Sequence, residues 1–107
     1  MSNTLKSIRK LISEGDVRIS QHGYDELAAD SLSAREVVSG VHDAVVVEDY
    51  PDYHKGSCVL LRQIDKNHIP FHALWGIPKG QTSPAVLITA YRPAPSLWEQ
   101  GLLRRKK

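Results

Sequence analysis

One cysteine, Cys58, stands alone among 107 residues. An internal disulfide is therefore excluded, and such sparing cysteine usage fits a reducing compartment. Long apolar runs are missing too: the longest are a few residues, too short for a membrane-spanning helix. Met1-Ser2-Asn3-Thr4 leads into a charged helix rather than the apolar stretch of a secretion signal, so the expected location is cytoplasmic, with no membrane partner. No low-complexity block, internal repeat or linker interrupts the chain. With 41% hydrophobic and 24% charged residues, it reads as one globular domain over residues 1–107.

Acidic residues are scarce in one half only. Residues 1–52 carry five Lys/Arg against ten Asp/Glu, a net of −5, whereas residues 53–107 carry nine Lys/Arg against Asp65 and Glu99 alone, a net of +7. A basic surface contributed by the second half is the footprint of a polyanion partner. Four of those charges form Arg104-Arg105-Lys106-Lys107, which could equally be a solvated end.

Leu5, Ile8, Leu11 and Ile12 share a helical face ahead of Gly15, which predicts a helix over residues 4–14 capped by that glycine. Val17–Ser20 reads as a short strand, and Tyr24, Leu27 and Ala28 as the apolar face of a second helix. Ser33-Ala34-Arg35-Glu36 has the form of a capping box opening a third short helix that ends near Gly40. From Asp43 onward the periodicity becomes alternating. Strands are expected at Ala44–Tyr50, Ser57–Ile64, Ile69–Ile77 and Ala85–Arg92, joined as a meander. Pro93 and Pro95 end the last strand, and Ser96 caps a final helical segment with Leu97, Trp98, Leu102 and Leu103. The expected fold is α+β, with N-terminal helices on one face of a four- to five-stranded antiparallel sheet and a short C-terminal helix.

His22 follows directly on the first strand, in the opening turn of the second helix. The partial positive charge of a helix N-terminus favours a neutral imidazole that can act as a base; the alternative reading is that Ser20 caps the helix and His22 only fills a surface position in its first turn. In the third strand Ile69, Phe71, Ala73, Trp75 and Ile77 share the more apolar face. That face is expected against the helices, so His72 should project from the opposite, more open one, or serve there as a cross-strand packing residue. Arg62 shares a face with Leu60 and Ile64, and Tyr91 with Leu87 and Thr89, with Arg92 opposite; a one-residue slip would reverse any of these assignments.

Two histidines, several arginines and a strand-end tyrosine, without clustered carboxylates, suit RNA cleavage without a metal. A neutral base takes the ribose 2′-hydroxyl proton, a cation stabilises the charge on phosphorus, and an acid protonates the departing 5′-oxygen. Arginine can grip phosphate bidentately, and tyrosine can stack on a base or donate a hydrogen bond. His54-x3-Cys58 and His68-x3-His72 mimic zinc spacing, but i and i+4 positions along a strand stand about 13 Å apart. No metal or other cofactor is expected. Trp75 and Trp98 read as core and docking anchors, and Cys58 as a small strand residue.

Taken in order, Ile19-Ser20-Gln21-His22-Gly23-Tyr24-Asp25-Glu26-Leu27, Ser33-Ala34-Arg35-Glu36-Val37, Val47-Glu48-Asp49-Tyr50-Pro51, Cys58-Val59-Leu60-Leu61, Phe71-His72-Ala73-Leu74 and Ile88-Thr89-Ala90-Tyr91-Arg92-Pro93 through Trp98 resemble the domain-of-unknown-function family 4258. The resemblance runs from about Val17 to the C-terminus. That family is similar in layout to RelE/ParE-like toxins and MqsR-like messenger-RNA interferases. The resemblance implies a RelE-like fold, endoribonuclease activity on free or ribosome-bound messenger RNA, and a small cognate antitoxin, in some members zinc-binding. It matches His22, His72, Tyr91 and the basic residues after Trp98. Glu26 departs from it, since the family usually carries a basic residue about four positions beyond the first histidine.

The expected function is thus a ribonuclease toxin of a toxin–antitoxin pair. His22 and His72 would be base and acid in either order, Arg62 or Arg92 the phosphate stabiliser, and Tyr91 an orienting or stacking group; Arg104 and Arg105 would help hold the RNA. The alternative is a non-catalytic module docking an acidic protein or nucleic acid through its basic half. The catalytic expectation requires His22 within about 10 Å of His72 and an arginine, because the reacting groups must bracket one phosphate.

Overall fold

The computed structural model describes residues 2–94, 96, 98–99 and 104–105, the last four as backbone. Helix α1 (Asn3–Ser13) is capped by Ser2, whose side chain accepts from the Leu5 N–H, and buries Leu5, Ile8 and Leu11. Its end is closed as expected: Gly15 takes φ +75°, and the Gly15 and Asp16 N–H groups donate to the carbonyls of Ile12 and Leu11. Glycine adopts that left-handed conformation without steric penalty. Strand β1 (Val17–Ile19) leads into α2 (Gln21–Ala29), then α3 (Ala34–Ser39) and a 3-10 turn over Gly40–Asp43. The Ser33/Glu36 capping box at α3 is complete, with Ser33 N–H bonded to the Glu36 carboxylate and Glu36 N–H to Ser33 Oγ. Arg9 joins α1 to this region by donating to the carbonyls of Val41 and Ala44.

Strands β2 (Val45–Tyr50), β3 (Cys58–Ile64), β4 (Pro70–Gly76) and β5 (Ala85–Tyr91) form the antiparallel meander. The sheet order is β1-β5-β4-β3-β2, with β1 parallel to β5. The sheet is therefore mixed rather than wholly antiparallel. β1 and β5 are separated by most of the chain, so no hairpin dictates their direction, and local periodicity carries no signal for that pairing. All three helices contribute to a single core on one face of the sheet: Ile8, Leu27 and Val37 meet Leu61, Phe71, Trp75 and Leu87 there. The expected helix after Ser96 is absent at Trp98. Trp98–Glu99 pairs antiparallel with Arg104–Arg105 as β6 and β7; Gly101, a poor helix former, lies between these pairs in the sequence. Leu97, Leu102 and Leu103 lie outside the described residues, as does the side chain of Trp98.

Candidate active site

The parity expected in β4 holds for its core face, where Phe71, Ala73 and Trp75 are all fully buried. Gln63 on β3 is the polar intruder there, and it is satisfied: its amide donates to the Val37 carbonyl at 2.7 Å and accepts from Trp75 Nε1 at 3.1 Å. The opposite, outer face carries the remaining alternation.

Register assembles a row on that outer face. Arg62 pairs with His72, and His72 pairs with Tyr91, across β3, β4 and β5. The His72 and Tyr91 rings meet edge to face, with centroids 5.9 Å apart. Two expectations need correction here. Tyr91 does not share a face with Leu87, because Leu74 pairs with Thr89 while the next residue, Trp75, pairs with Leu87. Ile88 is thus the extra residue of a β-bulge, and a bulge inverts alternation beyond it; Leu87 consequently joins the core while Tyr91 joins His72. Nor is His72 open to solvent: it is fully buried, flanked in register by the long side chains of Arg62 and Tyr91.

Arg62 is half-buried, and its Nε is buried with no hydrogen-bond partner among the described residues. A buried donor left in that state costs roughly 1–3 kcal/mol. An oxyanion in the row would remove this penalty.

Arg92 has a different occupation. Its Nη2 lies 2.9 Å from Asp65 Oδ2, its Nε donates to the Asp30 carbonyl and its backbone N–H to the Asp30 carboxylate. It ties the end of β5 to the C-terminus of α2 and to the β3–β4 turn. Asp65 is itself buried and its Oδ1 accepts from the N–H groups of Asn67 and Ile69. Burial pushes the Asp65 carboxyl up, but the Ile69 and Asn67 N–H groups and the Arg92 guanidinium together hold it below the ordinary carboxylate range. Asp65 and Asp30 were missed by sequence reasoning. The available signal was modest: Asp65 opens the turn Asp65-Lys66-Asn67-His68 and is one of two acids in the basic half.

His22 stands elsewhere. Ser20 caps α2 by accepting from Gly23 N–H and also donates to the Ile88 carbonyl, while its own N–H donates to Leu87. The start of α2 is thereby fixed beside Leu87 and Ile88, three residues or more from Tyr91, which is about 10 Å along a strand. The His22 side chain is largely exposed on the helix layer and lies 3.8 Å from Glu26, whereas His72 occupies the other face of the sheet. No described contact brings the two histidines together. The side chains of Arg104 and Arg105 lie outside the described residues.

Among the described residues no group of three or more His, Cys, Asp or Glu is placed to hold a metal ion. Cys58 is buried on β3, with its thiol pushed up by burial and by Asp49, so it is a poor nucleophile. No described helix is long and apolar enough to cross a membrane.

The family described as Domain of unknown function (DUF4258) matches residues 19–92, a stretch that contains β2 to β5, the last residue of β1 and the whole Arg62–His72–Tyr91 row. Searches of curated proteins and of solved structures returned no match.

Proposed function

The chain belongs to the DUF4258 family, whose description names no reaction, and from its own side chains we propose that it is a metal-independent endoribonuclease acting at the Arg62–His72–Tyr91 row. The observation that carries this reading is the register placing a guanidinium, an imidazole and a phenol side by side on three adjacent strands, with Arg62 Nε lacking a partner among the described residues. Directly paired residues stand about 4.5–5.5 Å apart at Cα, close enough to address one phosphate. His72 takes the 2′-hydroxyl proton, the 2′-oxygen attacks phosphorus, and Arg62 balances the charge that builds on the phosphoryl oxygens. Tyr91 gives its proton to the departing 5′-oxygen and recovers one from His72, leaving a 2′,3′-cyclic phosphate. His22 is left outside this step. The motif resemblance supports placing the reaction in a cytoplasmic toxin that acts on free or ribosome-bound messenger RNA and is silenced by a small antitoxin.

The complete burial of His72 favours a second reading, in which the row is structural and the basic half only docks an acidic protein or nucleic acid. Single-stranded RNA incubated in EDTA separates the two. Wild-type protein is expected to release cyclic-phosphate ends, His72→Ala to lose about 10²- to 10⁴-fold in rate, and His22→Ala to stay within a few-fold. Undiminished cleavage by a His72→Ala protein that melts normally overturns the assignment, and salt-sensitive binding without scission supports the docking module.

A further inference from the structure

Beyond the row, the same outer face carries a cavity that the cleavage step does not use. Its volume is about 500 Å³, and its walls include Tyr50, Tyr53, Lys55, Leu74, Ile77 and Ile88. Leu74 links the two places, lying two residues from His72 on β4, and Gly76 lies in the cavity wall a further two residues on. Four residues of strand span about 13 Å. The cavity therefore lies a short run of chain from the row.

Three features describe what would fill it. The volume falls within the range of roughly 300–1,000 Å³ typical of small-molecule sites, and the walls are mostly apolar. Two aromatic side chains reach solvent at its rim, Tyr50 with 38% and Tyr53 with 47% of its surface exposed, and the His54 ring packs 4.5 Å from that of Tyr53. Two exposed lysines close the rim: Lys55 lines it, and Lys79 joins the same corner because its N–H donates to the Lys55 carbonyl at 3.2 Å. The positive φ of Gly56, +123°, lets these two loops approach, since a Cβ there would collide with the Ile77 carbonyl oxygen. Three carboxylates lie on the neighbouring stretch: Glu48 accepts from the Tyr50 hydroxyl, Asp49 pairs with Val59 of the core face while its charge still acts on the Cys58 thiol in the cavity wall, and exposed Asp52 precedes Tyr53 in the turn. Flat apolar walls, aromatic rings and cations in one concave site are the means by which proteins hold single-stranded nucleic acid, with bases stacked and phosphates paired.

We propose that this cavity is a nucleobase subsite, which receives a base of the RNA strand whose phosphate lies at the Arg62–His72–Tyr91 row, with Tyr53 stacking on the base and Lys55 pairing with a flanking phosphate. The proposal rests on the ribonuclease reading for its substrate, but it is tested without catalysis. The probe is a fluorescein-labelled, fully 2′-O-methylated 12-nucleotide RNA, which cannot be cut, alongside an abasic chain of equal length. Tyr53→Ala should weaken binding of the base-bearing RNA about 10-fold and leave the abasic chain unchanged, and Lys55→Ala should weaken both and lower the salt slope. The proposal is overturned if Tyr53→Ala binds base-bearing RNA like wild type, if it loses both chains equally, or if wild type binds neither, which would leave the cavity to an apolar protein segment. Base-dependent binding in a protein that cuts no RNA would keep the subsite and remove the cleavage reading.

Discussion

The two faces of this sheet are built from the same alternation but solve different problems. On the helix-covered face Val59, Leu61, Phe71, Ala73, Trp75, Leu87 and Ala90 are almost wholly apolar and buried, and the single amide there, Gln63, has both ends bonded. On the outer face the corresponding row is Arg62, His72 and Tyr91, and a guanidinium nitrogen is buried without a partner among the described residues. A fold needs the first arrangement and is burdened by the second. Under the proposed function, the buried Arg62 Nε is a cost retained for chemistry rather than for stability.

The largest effect should come from breaking the helix-covered face. Trp75→Ala removes a fully buried side chain and also deprives Gln63 Oε1 of its donor. A loss of about 3–5 kcal/mol is expected from the cavity alone, read as a fall in the denaturant midpoint. A loss below 1 kcal/mol would show that the core is not centred where the packing places it.

Next in size is the clasp at the end of the sheet. Asp65→Asn keeps one acceptor oxygen but loses the charge facing Arg92 and one of the two oxygens that serve the turn and the guanidinium. About 2–4 kcal/mol should be lost at neutral pH, somewhat less than for a fully buried pair because Arg92 is partly exposed. The pH dependence has a definite sign. The Asp65 carboxyl is held low in the folded protein, so its contribution is fully present above the unfolded carboxylate value of about 3.9 and disappears as pH falls through the lower folded one. Urea midpoints from pH 7 to pH 2 should therefore converge for wild type and variant at the acid end. A constant gap would remove the ionic account of the clasp.

This contrast between faces was only partly legible in the sequence. Period-two spacing in β4 separated Trp75 from His72 correctly, because both faces of that strand are continuous and carry no irregularity. The same logic failed for Tyr91, since the bulge at Ile88 is a matter of register against β4, and the residue types of β5 alone carry no mark of it. Arg92 read as a free cation because its partners, Asp30 and Asp65, lie 62 and 27 positions away in the chain and come together only in the fold. His22 was located on the correct helix, but which layer it occupies depends on the β1–β5 pairing, again a long-range fact. Caps and turns, by contrast, are local chemistry. Gly15, Ser20, Ser33 and Glu36 all behave as their sequence neighbourhoods require.

The smallest stability effect should sharpen the comparison most. Arg62→Met keeps a long apolar stem at the position paired with His72 while deleting the guanidinium, whose Nε has no partner among the described residues. On the helix-covered face a comparable loss of polar function, such as Gln63→Met, strands Trp75 Nε1 and should cost about 1–3 kcal/mol. At Arg62 no described bond is lost, so the melting midpoint should stay within about 1 kcal/mol of wild type and could rise. RNA cleavage should instead fall about 10²- to 10³-fold, the scale set by removal of one donor to a developing oxyanion. Stability measured alongside RNA cleavage decides between the two accounts of the outer face: a stable, inactive Arg62→Met protein places the cost of that row in function, whereas a clearly destabilised one makes it a second core.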